Sequence, residues 1–241
     1  MNESNKAELK QILAYKAPKG TIIKKVLAGS HAYGLSHENS DLDVRGIYVL
    51  PPAAFLGFTD PGLELEPGEF KDTKFFELKK FMSLCMKGNP SQLEILFSPN
   101  LIKGGVEEFL VYTLNMNRDC LIGKKAIKSA YVGFIEGEKN AANKDENEAR
   151  RLKRWKHIFR LSFQAIDLLE SGKLSVELSE ADKKDIFYYT QPGTCSKNEL
   201  NIMAENRIQI IKRLYETSNL PEEADAQKAE EIMRFIRNHV W

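Results

Sequence analysis

A chain of 241 residues with 42% hydrophobic and 29% charged residues has the composition of a globular protein able to bury one large core or two smaller ones. Its 35 Lys and Arg against 34 Asp and Glu leave a net charge of +1, so bulk electrostatics argue for neither a nucleic-acid binder nor a membrane-surface protein, and any such signal must be local. Cys85, Cys120 and Cys195 lie far apart without CxxC spacing, which excludes a zinc ribbon and a disulfide framework. The N-terminus is too polar for a signal peptide and no apolar run approaches the roughly 18 residues of a membrane span, so the expected setting is the cytoplasm, away from membranes.

In chain order, NKAELKQILAYKA spaces Leu9, Ile12 and Leu13 at helical intervals and stops at Pro18 and Gly20. TIIKKVLAG is β-branched, apolar and bounded by glycines, which predicts a buried strand. Gly29 and Ser30 then start a turn or short helix over SHAYGLS. DLDVRGIYVL reads as a second strand, with Asp41, Asp43 and Arg45 on one face and Leu42 and Val44 on the other. Prolines and glycines punctuate residues 51–68, a length that suggests a functional loop or a small lid. KDTKFF predicts a third strand. Leu78, Phe81, Met82 and Cys85 form a helical stripe ending at Gly88, and NPSQLEILF runs from Pro90 to Pro99. Beyond residue 100 the pattern is helical, with segments near 106–118, 124–142, 145–171, 179–189, 197–217 and 222–239. The expected fold class is α+β: a small mixed-sheet domain over residues 1–100, then a helical domain over 101–241.

Gly29-Ser30 offers exposed backbone N–H groups at a helix start, a place where phosphates bind. Alone, the pair describes only a turn. Asp41 and Asp43, two apart on a strand, aim two carboxylates at one point, as oxygen ligands hold Mg²⁺ while a triphosphate completes its shell. An isolated DxD is a solvated strand end, but a phosphate-cradling turn beside a carboxylate pair makes the two halves of a metal-dependent phosphoryl-transfer site. Walker A, GxGxxG, HExxH and GxSxG patterns are absent.

The run GSHAYGLSHENSDLDVRGIYV resembles the signature of the DNA polymerase beta nucleotidyltransferase superfamily, and more narrowly its RNA repair pathway branch with the pattern GSxAYGxxxxxSDxDxRG. A second block, ELKKFMSLCMKGNPSQLEILF, is similar to that branch's helix and NP-x-x-x-E segment, so the resemblance covers residues 21–97. It implies a nucleotidyltransferase domain and nucleotidyl transfer assisted by two Mg²⁺ (or Mn²⁺) ions, with an NTP as substrate. Gly29 and Ser30 would hold the triphosphate, and Asp41 and Asp43 would ligate the ions. Superfamily members add a third carboxylate, for which Asp72 is the choice and Glu77 the reserve, since Glu77 is expected at a helix N-terminus.

Arg45 could contact a phosphate or form an ion pair with Asp43, and Tyr33 could stack on a base or ribose or pack within the fold. His31 could touch a phosphate or the acceptor. In RRLKRWKHIFRL, Lys153, His157 and Arg160 share one helical stripe beside further bases, either a solvated face or a second wall gripping the triphosphate or a nucleic-acid backbone; Trp155 and Phe159 belong to a core. Two classes of function follow. One is an enzyme moving a nucleoside monophosphate from an NTP to RNA, a protein side chain or a small hydroxyl compound. The other is a catalytically weak, antitoxin-like module that keeps the cleft for sensing or for holding a partner, which retention of both aspartates disfavours.

Overall fold

The computed structural model describes residues 1–241. The strands are β1 (Thr21–Ala28), β2 (Asp43–Val49), β3 (Glu64–Leu65) and β4 (Thr73–Glu77), in the spatial order β1-β2-β4-β3. β1 and β2 pair antiparallel from Thr21 opposite Val49 to Ala28 opposite Asp43, β2 and β4 pair parallel, and β3 and β4 pair antiparallel. A parallel neighbour cannot be reached by a tight turn. The Pro- and Gly-rich residues after Val49 therefore serve as the crossover, and they contain a 3-10 turn, Pro52–Phe55, as well as β3. Gly46 permits the close approach of β1, because a Cβ there would sit 2.1 Å from the Lys24 carbonyl oxygen and 2.8 Å from the Phe75 ring.

The lead-in helix α1 (Glu3–Ala14) starts at Asn2, whose side chain accepts from the Asn5 N–H. Ile12, Leu42 and Val44 form one apolar cluster, and Ile22, Tyr48, Leu50 and Phe75 form another. Two lysines lie inside β1. Lys25 Nζ donates to the carbonyls of Ile12, Leu13 and Tyr15 at 2.8–2.9 Å, closing the C-terminal end of α1 with positive charge. Lys24 is fully buried and donates to the Leu96 carbonyl at 2.9 Å. Burial pushes its amine down to about 7; Cys85 opposes the drop and Arg118 adds to it. An unfolded lysine titrates near ~10.4, so between about 7 and that value the unfolded chain binds more protons and Lys24 favours the fold increasingly as pH rises. Denaturant titrations of wild type and Lys24→Met are expected to show a stability difference that grows in favour of wild type from pH 7 to pH 10. A flat difference would contradict a proton released from Lys24 on folding.

After β4 come α2's later counterparts in order: with α2 (Gly29–Tyr33) between β1 and β2, the chain continues as α3 (Leu78–Met86), α4 (Pro90–Phe97), α5 (Gly105–Met116), α6 (Lys124–Lys144), α7 (Glu148–Ser171), α8 (Glu180–Tyr189), α9 (Lys197–Thr217) and α10 (Ala226–Val240). The fold class is α+β, as the sequence predicts. Two compact units divide the chain: one takes residues 1–85, 91–121 and 225–241, the other 86–90 and 122–224. This differs from a single division near residue 100. In the first unit α5 packs on β1, α10 packs on α5, and the Asp225 N–H donates to the Cys120 carbonyl, so helices from both ends of the helical stretch join the sheet. In the second unit α6, α7 and α9 pack together around Tyr131, Trp155 and Phe159. No helix is long and apolar enough to cross a membrane.

Candidate active site

β1 hands the chain directly to α2, a short helix closed by Gly34 in the left-handed region (φ 71°), whose N–H donates to the Ser30 carbonyl. Because Ala28 lies opposite Asp43, the antiparallel pairing sets the first residue of α2 against the Asp43 side chain. Gly29 has φ 59°, and a Cβ there would fall 2.1 Å from Asp43 Oδ2. Both the backbone conformation and the approach of the carboxylate require glycine. The other oxygen, Oδ1, faces Arg45 Nη2 at 3.6 Å. Arg45 Nη1 donates to the Val44 carbonyl at 3.0 Å and to the Asp72 carbonyl, so Arg45 pairs with Asp43 and also reaches the start of β4. Tyr33 also has a protein partner, its hydroxyl donating to Glu94 Oε2 at 2.8 Å and tying α2 to the NP-x-x-x-E segment.

Asp41 departs from the expected strand. β2 begins at Asp43, and Asp41 is exposed in the preceding loop rather than alternating with Asp43 in a strand. The loop is pinned on both sides of it. Ser40 Oγ accepts from the His37 N–H at 2.9 Å, the Ser40 carbonyl accepts from Asn5 Nδ2 at 2.9 Å, and Leu42 is buried against Ile12 and Val44. Asn2 Nδ2 adds a bond to the Glu38 carbonyl at 2.8 Å. The role of Asn2 and Asn5 was not read from the sequence. Their signal was an N-cap pattern at the start of a polar helix, which says nothing of a loop more than thirty positions on.

Asp72 immediately precedes β4, where the parallel register pairs Val44 with Thr73 and so brings Asp72 level with Asp43. It holds φ 56°, the single non-glycine residue of the chain with positive φ, and its carbonyl accepts from the Val44 N–H at 3.2 Å. Aspartate adopts this conformation more readily than most residues that carry a Cβ, which suits Asp72 to the turn into β4. Glu77 has a different fate. It is the last residue of β4 and directly precedes α3, so it does stand at a helix N-terminus, where its Oε2 accepts from the Lys79 N–H at 2.7 Å; it is also fully buried, with Arg237 Nη2 at 2.5 Å. Its carboxylate is committed to holding α10.

The RNA repair pathway DNA polymerase beta family, RlaP, matches residues 1–187. The chain belongs to this family. The match runs well past the two sequence blocks at residues 21–97 and takes in α5, α6 and α7. No curated protein matches the chain. Membership supports a polymerase beta-like nucleotidyltransferase.

In this polymerase beta family member, burial raises the Asp43 carboxyl above the usual aspartate range; Arg45 opposes the rise, Asp72 and Asp41 add to it, and His31 lowers it. Burial is the main cause, and the neighbouring aspartates add to it. No group of three or more Asp, Glu, His or Cys side chains is gathered at ligating distance. Asp41, Asp43 and Asp72 are nevertheless the residues that could hold a divalent cation, since they offer the hard oxygen donors suited to Mg²⁺ or Mn²⁺ and carry repulsion that such an ion would offset.

The basic stretch of α7 lies in the second unit. Arg150 and Arg154 pair with Asp145 at 3.3 and 3.5 Å, Arg154 with Glu138 at 2.9 Å, and Arg151 with Glu148 at 3.6 Å. Lys153 is exposed. His157 sits 2.8 Å from the Arg160 guanidinium, and burial, then Arg160 and Arg154, push it down to about 3, so it stays neutral at physiological pH and adds no positive charge to the stripe. Trp155 and Phe159 are fully buried, as expected of core residues.

Proposed function

We propose that this protein moves a nucleoside monophosphate from an NTP to an acceptor hydroxyl. The observation that carries the reading is the contact of the Asp43 carboxylate with Gly29 at the opening of α2, with Asp72 level beside it. Backbone N–H groups at Gly29 and Ser30 would receive the triphosphate. Arg45 orients Asp43 and ties the Asp72 carbonyl to β2, so the two acidic positions keep their spacing. Divalent cations held by Asp41, Asp43 and Asp72 would supply Lewis-acid stabilisation of the α-phosphate and lower the pKa of the attacking hydroxyl. RNA is the acceptor to test first, since the family description names RNA repair.

Purified protein with Mg²⁺ or Mn²⁺ and each α-labelled NTP in turn, given total RNA or total protein separately, is expected to place label in the RNA fraction and release pyrophosphate. Label in the protein fraction would move the acceptor to a protein hydroxyl. NTP binding without turnover under all conditions would favour the sensing module.

A further inference from the structure

α5 carries apolar residues on two opposite faces. Leu110, Val111 and Leu114 are buried, on the side where α5 packs on β1. At helical spacing on the other side stand Val106, Phe109, Tyr112 and Met116, each between 51% and 65% exposed. A surface helix ordinarily presents charged and polar residues there. The acids of α5, Glu107 and Glu108, fall in its first turn and off the stripe, so no charge interrupts it. Thr113 does lie within the stripe, but its hydroxyl already donates to the Phe109 carbonyl at 3.0 Å, and covering it would strand no donor. α10 widens the patch: the Phe235 ring lies 6.2 Å from that of Phe109, and the His239 ring 4.0 Å from that of Phe235.

Area and charge constrain what can cover this face. Half-open side chains of this size offer roughly 100 Å² apiece, so the four of α5 together with Phe235 present roughly 400–500 Å². An interface of standard size takes about 800 Å² from each partner, and between identical chains about 65% of that is apolar, or roughly 500 Å². The patch therefore supplies the apolar part of one such interface. A stripe without charge brings no like charges together when it meets its own copy, whereas it offers nothing to pair with phosphate, and the acids at its start repel nucleic acid and anionic lipid. The same acids set the direction. Parallel helices would place Glu107 and Glu108 of both copies side by side and align the two helix dipoles, while antiparallel helices separate the acids and oppose the dipoles.

We propose that the outer face of α5 is a dimer interface, covered by the same face of a second copy of this chain packed antiparallel about a two-fold axis. Centred on the stripe, this packing sets Val106 against Met116 of the other copy and Phe109 against Thr113, a large side chain against a smaller one in each case, with Tyr112 nearest the axis. The aromatic residues at the centre are the expected anchors. The assignment stands apart from the nucleotidyl-transfer reading, since α5 contributes none of the residues named for that chemistry.

Sedimentation velocity of the full chain tests it. Wild type is expected to dimerise with a dissociation constant of about 10 μM or tighter. Tyr112→Glu and Met116→Lys, both at exposed positions, should each weaken the dimer at least tenfold while keeping the circular dichroism and melting temperature of the wild-type monomer. Tyr112→Cys should form an interchain disulfide under copper-phenanthroline oxidation beyond any formed by wild type. Val106→Cys should not, because antiparallel packing holds that residue roughly 15 Å along the helix from its counterpart. A wild-type chain still monomeric at about 100 μM, or a dimer undiminished in both charged variants, overturns the proposal. A disulfide that forms at Val106→Cys as readily as at Tyr112→Cys overturns it too. So does binding of monomeric wild type, but not of Tyr112→Glu, to phosphatidylcholine vesicles, which would give the face to lipid.

Discussion

Asp41→Asn and Asp43→Asn are each expected to lower nucleotidyl transfer on the order of 10³-fold, equivalent to about 4 kcal/mol of lost transition-state stabilisation, without loss of fold. Stability should move differently from activity. Burial raises the Asp43 carboxyl, Arg45 opposes that rise, and Asp72 and Asp41 reinforce it. A carboxyl raised on folding binds more protons in the native state than in the unfolded chain, so the fold loses stability as pH climbs from the ordinary aspartate value through the raised one. That loss is present in the wild type and absent in Asp43→Asn. The Arg45 pair that the variant forfeits is long, at 3.6 Å, and partly exposed, and such pairs contribute about 0–1 kcal/mol. Asp43→Asn should therefore unfold at the same temperature as wild type or higher in the absence of divalent metal, and added Mg²⁺ should raise the midpoint of wild type only. Transfer should also fail on acidification above the pH at which an ordinary aspartate protonates. A fully active Asp43→Asn would remove the proposed chemistry, and a clearly destabilised one would show that the arginine pair outweighs the cost of burying the charge.

Arg237→Met is expected to produce the largest loss of stability. Glu77 is fully buried, and the variant leaves its charge without the guanidinium 2.5 Å away, a change that costs roughly 3–5 kcal/mol when one partner of a buried pair is removed. The guanidinium also lies over the Phe55 ring at 4.5 Å, so α10, the end of β4 and the 3-10 turn of the crossover share one anchor. Denaturant unfolding should register the loss, and the double variant Glu77→Gln with Arg237→Met should recover most of it, because it removes the buried charge as well. An Arg237→Met loss below about 1 kcal/mol would mean that solvent reaches and screens Glu77. The same pair separates Glu77 from Asp72. Glu77→Gln should reduce transfer only as far as it reduces the folded fraction, whereas Asp72→Asn should reduce transfer in a protein that remains folded.

The helices beyond residue 100, the buried strand over TIIKKVLA and the apolar stripe of α3 were legible in the sequence, because side-chain periodicity and punctuation by Gly and Pro depend on near neighbours in the chain. The order Gly29-Ser30, Asp41, Asp43 was legible for the same reason, and it carried the family resemblance. Other features depend on partners that no local pattern names. Asp41 left the strand because Ser40 and Leu42 on either side of it are anchored to α1, and Glu77 became a structural anchor because Arg237, 160 positions later, meets it in the interior. His157 looked cationic beside its basic neighbours, yet burial and the adjacent arginines hold it neutral. The sequence by itself determined most of the helices, the buried strand β1 and the order in which the glycine turn and the acidic residues follow one another. Only the tertiary structure decided which of the acids keep an open side and which are consumed, since the energy of a charge in a protein is set by burial and by groups that come near it through folding.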